Sequence, residues 1–219
     1  MIRRGLVRLG RAALLAVLPL LVSSGCRHAT DAAPATRAEQ PLPSSSAALG
    51  ALIVPRVASG LPRLPDAELK PPAGPKRLED IAGYSRDPDE QRTVLRGYGY
   101  RFGWERFWGT PAGPMTGVFV DQFTTSAGAD AYAQDLARND AGHYQAMLRE
   151  NPPTLPAGCR TLTVHSPEPA AGLRHPAAFV WCTHGVFSVA VTAMAKTAEA
   201  AESEVRSVLG AQLRRLPPQ

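Results

Sequence analysis

From Tyr98 the large apolar residues recur at even spacing: Tyr98, Tyr100, Phe102, Trp104 and Trp108, with Arg106 between the last two. A period of two places such residues on one face of a strand. A Gly-Thr-Pro-Ala-Gly-Pro loop over 109–114 leads to Met115–Thr124 (MTGVFVDQFT), which reads as the paired strand. Upstream the period is helical. Leu78, Ile81 and Ala82 form a short turn that Gly83 ends. Asp87-Pro88-Asp89-Glu90 then offers Asp at the N-cap, Pro at the first helical position and Glu at N3. Val94 and Leu95 are the apolar residues of that helix, and Gly97 stops it.

Downstream, Ser126 caps a long helix whose buried stripe is Ala129, Tyr132, Ala133 and Leu136. A weaker helical stretch, Tyr144 to Arg149, stops before Pro152-Pro153. Strands follow at about 159–165, 177–183 and 186–194, the last two joined at a His184-Gly185 turn. Thr197 caps a final helix carrying Ala198, Ala201, Val205, Val208, Leu209 and Leu213. The order is α, β-β, α, β-β-β, α. Phe179 and Trp181 occupy one face of their strand, Val180 and Cys182 the other. Strands apolar on both sides must be covered on both sides. The pattern therefore predicts an α+β fold, an antiparallel sheet of about five to six strands covered by helices on both faces.

The amino terminus follows another logic. Arg3, Arg4, Arg8 and Arg11 precede an 11-residue apolar run, Ala12–Val22. Spanning a bilayer takes about 20 such residues, so this run has the size of a signal-peptide core. Ser23-Ser24-Gly25 and Cys26 follow, which resembles a bacterial lipobox with Ser23 where Leu is usual. On this reading residues 1–25 are a lipoprotein signal peptide and Cys26 carries the acyl chains that anchor the mature protein in the cell membrane, on its extracytoplasmic face. An ordinary signal peptide with a free Cys26 is the alternative. Arg3-Arg4 also suggests twin-arginine export, which the following Gly5-Leu6-Val7 fits loosely. Residues 26–50, rich in Ala, Pro, Ser and Thr and without an aromatic, read as a disordered tether. A single extracytoplasmic domain spans 51–217, its prolines at 55, 62, 65, 71, 72 and 75 forcing an extended entry.

Charge narrows the partners. The formal net charge of +5 comes largely from the four leader arginines, and from Arg77 on there are 14 basic and 15 acidic residues. That balance leaves no electrostatic footprint for nucleic acid.

With Cys26 acylated, Cys159 and Cys182 remain. A hairpin that pairs His165 with Ala177 sets Cys159 and Cys182 opposite each other within one residue. Facing strand residues lie close enough for a disulfide, which an oxidising compartment favours over two free thiols.

No GxSxG, HExxH, CxxC or Walker loop occurs. His165, His175 and His184 fall in the C-terminal hairpins, but a metal site needs three or four converging ligands, so neither metal nor cofactor is expected. Asp121 and Glu105 alternate out of neighbouring strands. A catalytic carboxylate pair is conceivable, and two solvated strand carboxylates is the preferred reading. The aromatic stripe is either a sheet face under a helix or a ligand or partner surface; in the second case Tyr98 and Trp108, at its ends, are the contacts, with Arg106 supplying polarity.

Gly103-Trp104-Glu105-Arg106-Phe107-Trp108, Val118-Phe119-Val120 and Phe123-Thr124-Thr125-Ser126-Ala127-Gly128-Ala129 resemble core phrases of a group of actinobacterial lipoproteins with a PsbP-like α/β/α sandwich. The resemblance covers roughly residues 50–217. It implies binding or assembly roles rather than one chemistry. An excess of Arg over Lys, 21 to 3, suits a high-GC genome of that kind. The expected function is a lipid-anchored extracytoplasmic binding or assembly module without catalytic activity. Its partners would be the membrane, through the lipid, and an unidentified envelope protein or apolar ligand. A cell-envelope hydrolase with a non-motif active site is the alternative. A cleft with converging polar groups and a perturbed pKa would favour the enzyme, an apolar groove the binding module.

Overall fold

The apolar runs on either side of 109–114 and of 185 become four of the five inner strands of an antiparallel sheet. The computed structural model describes residues 40–110, 112–167 and 172–218. Among them seven strands pair: β1 (Gly74–Lys76), β2 (Tyr100–Gly109), β3 (Met115–Phe123), β4 (Arg149–Glu150), β5 (Arg160–Val164), β6 (Ala177–His184) and β7 (Phe187–Met194). Their spatial order is β1-β2-β3-β7-β6-β5-β4. The two short strands that the sequence did not predict, β1 and β4, are the edges. A strand of two or three residues has no periodicity to read, and short edges limit pairing with other chains.

Helices cover both faces. On one lie α2 (Leu78–Ala82), α3 (Pro88–Tyr98) and α4 (Ser126–His143); on the other lie α1 (Ser46–Leu52) and α5 (Ala198–Leu213). The alternation along β6 explains the two layers: Phe179 and Trp181 pack with Ala133 and Ala137 of α4, while Val180 and Cys182 pack with Val205 and Leu209 of α5. The helix starts are capped as their residues dictate. Asp87 accepts from the Glu90 N–H and Thr197 from the Ala200 N–H. For α4 the cap is Thr125, one residue before the expected Ser126, accepting from the Gly128 N–H. Helix α3 ends at Gly99, whose φ of 74° is left-handed, rather than at Gly97.

That later ending changes the aromatic stripe. Tyr98 is the last residue of α3, not the first of a strand. The β2–β3 register then shifts between Tyr100 and Phe102, a β-bulge at Arg101. One extra residue inverts every side chain beyond it. Tyr100 therefore joins Phe123 and Tyr132 on the α4 face, while Phe102, Trp104, Arg106 and Trp108 point to the α1–α5 face.

The domain also starts earlier than residue 51. Residues 46–50, read as tether, belong to α1, with Leu49 and Ile53 buried. The polar groups that hold α1 come from far along the chain. Arg106 donates to the carbonyls of Gly50, Ile53 and Val54 at 3.1–3.3 Å. Arg215 donates to Ala51 and Leu52, and Gln212 both donates to the Leu52 carbonyl and accepts from the Val54 N–H. A seven-residue helix is marginal alone, so these partners and the buried Leu49 keep it folded. Residues 1–39, which hold the signal segment, Cys26 and most of the tether reading, lie outside the described residues.

The β5–β6 hairpin pairs Arg160 with Trp181 and Val164 with Ala177, one step from the expected register. The next opposed pair is Cys159 and Cys182, and they form a disulfide. The β6–β7 turn is Gly185-Val186, because His184 pairs with Phe187; Gly185 takes a φ of 54°. Residues 144–149 form no helix, since Tyr144 ends α4 and Arg149 enters β4. No helix among the described residues is long and apolar enough to cross a membrane.

Candidate functional site

Small residues make a hollow in the α4 face of the sheet. Gly117 of β3 and Ser188, Ala190 and Thr192 of β7 share that face with Phe119 and Asp121. Helix α4 packs chiefly over β6 and β7, and Tyr84, just past α2, stands over Glu105 on the other side. Between them remains a cavity of about 180 Å³. Its walls come from the rings of Tyr84, Phe119, Tyr132 and Trp181 together with Ile81, Leu136 and Ala190, and its polar groups are Glu105, Asp121, Asp140 and Thr192. A more open groove of about 390 Å³ adjoins it, sharing Tyr84, Glu105 and Phe119 and adding Leu69, Lys70, Pro71, Phe107 and Met115.

Both strand carboxylates that the sequence suggested were solvated are buried here, Glu105 and Asp121 each 6% exposed. The sequence held a signal for this. Asp121 stands in phase with Phe119 and Phe123, and Glu105 with Phe107, so each carboxylate shares the inward side of its strand with aromatics. Lys76 of β1, itself buried, sits 3.2 Å from a Glu105 carboxylate oxygen. The Tyr84 hydroxyl lies 3.2 and 3.3 Å from the two Glu105 oxygens. Tyr100 donates a 3.0 Å hydrogen bond to Asp121 Oδ1. Gly103 lies directly across from Asp121 in the ladder. A Cβ there would meet Asp121 Oδ1 at 2.0 Å and the Tyr100 hydroxyl at 2.8 Å, so the pair fits only above a glycine.

Burial dominates the ionisation of these groups. It pushes the Asp121 carboxyl up to about 7, against the Tyr100 hydrogen bond, which favours the charged form. Burial also raises Asp140 to about 6, with His143 opposing. Glu105 is raised by burial in spite of Lys76.

The three residues proposed as a partner surface are not brought together. Trp108 is 1% exposed in the α1–α5 core, and Arg106, on the same face, is spent on the α1 carbonyls. Tyr98 sits on the α4 side, its hydroxyl donating to Asp135. Tyr98 and Trp108 are thus on opposite faces of the sheet, separated by the bulge. Among the described residues no three His, Cys, Asp or Glu side chains gather as a metal site. His184 Nε2 lies 2.9 Å from the Pro217 carbonyl oxygen.

No protein-family model and no curated protein matches the chain. Among solved structures, the extracellular domain of PknH from Mycobacterium tuberculosis is similar with a TM-score of 0.41 and 12% identity, over 66% of this chain and 78% of that one.

Proposed function

We propose that the protein is a lipid-anchored extracytoplasmic binding module, without catalytic activity of its own, that holds a small, largely apolar ligand in the groove between the sheet, α4 and Tyr84. The carrying observation is the groove itself, a preformed aromatic hollow with a few polar groups at its base. Two of its three carboxylates, Glu105 and Asp121, already have protein partners. Carboxylate-pair hydrolysis needs two acids free to act on one bond, and here Glu105 is tied to Lys76 and Tyr84. The Cys159–Cys182 disulfide suits an oxidising compartment, and the pattern ending at Cys26 supports the anchor.

One observation favours the hydrolase reading: an acid titrating near 7 is suited to general acid catalysis. The two readings separate on the groove. The neutral dye N-phenyl-1-naphthylamine should fluoresce on binding the protein, and Leu136→Trp, which narrows the hollow from α4, should abolish the signal while the protein still unfolds in a single cooperative melt. Binding that Leu136→Trp leaves unchanged, or hydrolysis of envelope polymers that Asp121→Asn abolishes, would overturn the proposal.

A further inference from the structure

The charge around the inner cavity does not balance. Glu105, Asp121 and Asp140 all line it, and no lysine or arginine does. Lys76 is bonded to Glu105 from the neighbouring edge strand and offsets one of the three. The rest of the wall is dominated by the rings of Tyr84, Phe119, Tyr132 and Trp181. Acidic groups beside aromatic rings attract an organic cation, which gains from the ring quadrupoles and from the carboxylates together. Anions are repelled, and a neutral ligand leaves the acids uncompensated. The outer groove differs: the one acid in its wall, Glu105, is the one already paired with Lys76. Leu69, Pro71, Phe107 and Met115 make it apolar, and Lys70 places a positive charge there. A cationic head is thus drawn inward and an alkyl chain left outside.

Resting on the binding reading above, we infer that the groove takes a small ammonium-headed amphiphile, its head in the inner cavity among Asp121, Asp140 and the rings, its chain along the outer groove. Asp121 is faced by Tyr100 and Glu105 of β2, Lys76 of β1, Tyr132 of α4 and, in the same cavity wall, Asp140 of α4 and Tyr84. An ammonium in this setting favours the ionised carboxyl, so occupation expels a proton from Asp121. Affinity therefore rises as pH increases through about 7.

The test is isothermal titration of the whole protein in a nonionic detergent, with empty micelles as the blank. The ligands are hexyltrimethylammonium, hexanoate and neutral 1-hexanol. The cation should bind at least about tenfold more tightly than the alcohol, and hexanoate more weakly than either. From butyl- to hexyltrimethylammonium the affinity should rise about fourfold per methylene. Asp121→Asn should weaken the cation and leave the alcohol unchanged. Asp140→Asn, on the half-buried end of α4, should do the same without disturbing the buried pair. If the alcohol binds as tightly as the cation and Leu136→Trp abolishes both, the ammonium inference falls and the binding reading stands. If no ligand binds, or Leu136→Trp changes nothing, both fall.

Discussion

Gly103→Ala is the sharpest perturbation of the candidate site, because one methyl group meets one buried hydrogen bond. The added Cβ would lie 2.0 Å from Asp121 Oδ1 and 2.8 Å from the Tyr100 hydroxyl. Ordinary contact begins at about 3.4 Å, so the carboxylate must retreat by more than about 1 Å. Asp121 is 6% exposed and Tyr100 8% exposed, so neither has water to turn to. Separating them leaves a buried donor and acceptor unpaired, about 1–3 kcal/mol, and overpacking adds about 1–3 kcal/mol. The total is about 2–6 kcal/mol, or roughly 5–20 °C in melting temperature for a domain of this size. Gly97→Ala is the internal control. It lies within α3, with nothing within 4 Å of its Cβ position, and should stabilise by about 0.5–1 kcal/mol. Thermal melts by circular dichroism read both. The Gly103→Ala, Asp121→Ser double variant should recover part of the loss, since the shorter side chain clears the methyl. A Gly103→Ala protein melting within about 1 °C of wild type, or a double variant showing simple additivity, would refute the close packing of Gly103, Asp121 and Tyr100.

Cys26→Ser should move the protein from the membrane to the soluble fraction of its host; continued sedimentation with membrane would remove the anchor. Non-reducing peptide mapping should find Cys159 linked to Cys182, and replacing both with Ser should cost about 3 kcal/mol for a link spanning 23 positions, read by urea denaturation. The folded-state pKa of Asp121, raised from 3.8 to about 7, means that the native protein binds this proton more tightly than the unfolded chain. Its contribution is full below about 4 and is lost as pH rises towards 7, with Asp140 acting in the same direction up to about 6. Asp121→Asn should therefore flatten the fall in melting temperature between pH 4 and 7, and an unchanged slope would place the titration elsewhere.

Much of the architecture was legible because periodicity reports which sides of an element are buried. The two-sided apolar strands at 177–194 required helices on both faces, and those helices are present. The hairpin register that brings Cys159 to Cys182 was readable to within one residue, because pairing in a ladder is set by counting from a turn. Caps at Asp87 and Thr197 were local chemistry and needed no partner from afar.

Other features depended on contacts distant in the chain. An Ala- and Ser-rich stretch at 46–50 has no strong helical signal, and α1 exists because Arg106, Gln212 and Arg215 satisfy its carbonyls from 56 to 164 residues away. The bulge at Arg101 is invisible to a period-of-two reading, since it is defined only by the partner strand; it put Tyr100 and Trp104 on opposite faces. Asp121 and Glu105 look like surface carboxylates by composition. Only the fold sets Tyr100, Gly103, Lys76 and Tyr84 around them and closes α4 over part of the hollow. The sequence by itself determined the five longer strands, the main helices that cover them and the pairing of two cysteines, because these follow from the order of apolar residues along the chain. The tertiary structure alone decided where a groove was left and which groups surround its buried acids, because those neighbours come together from separate strands and helices.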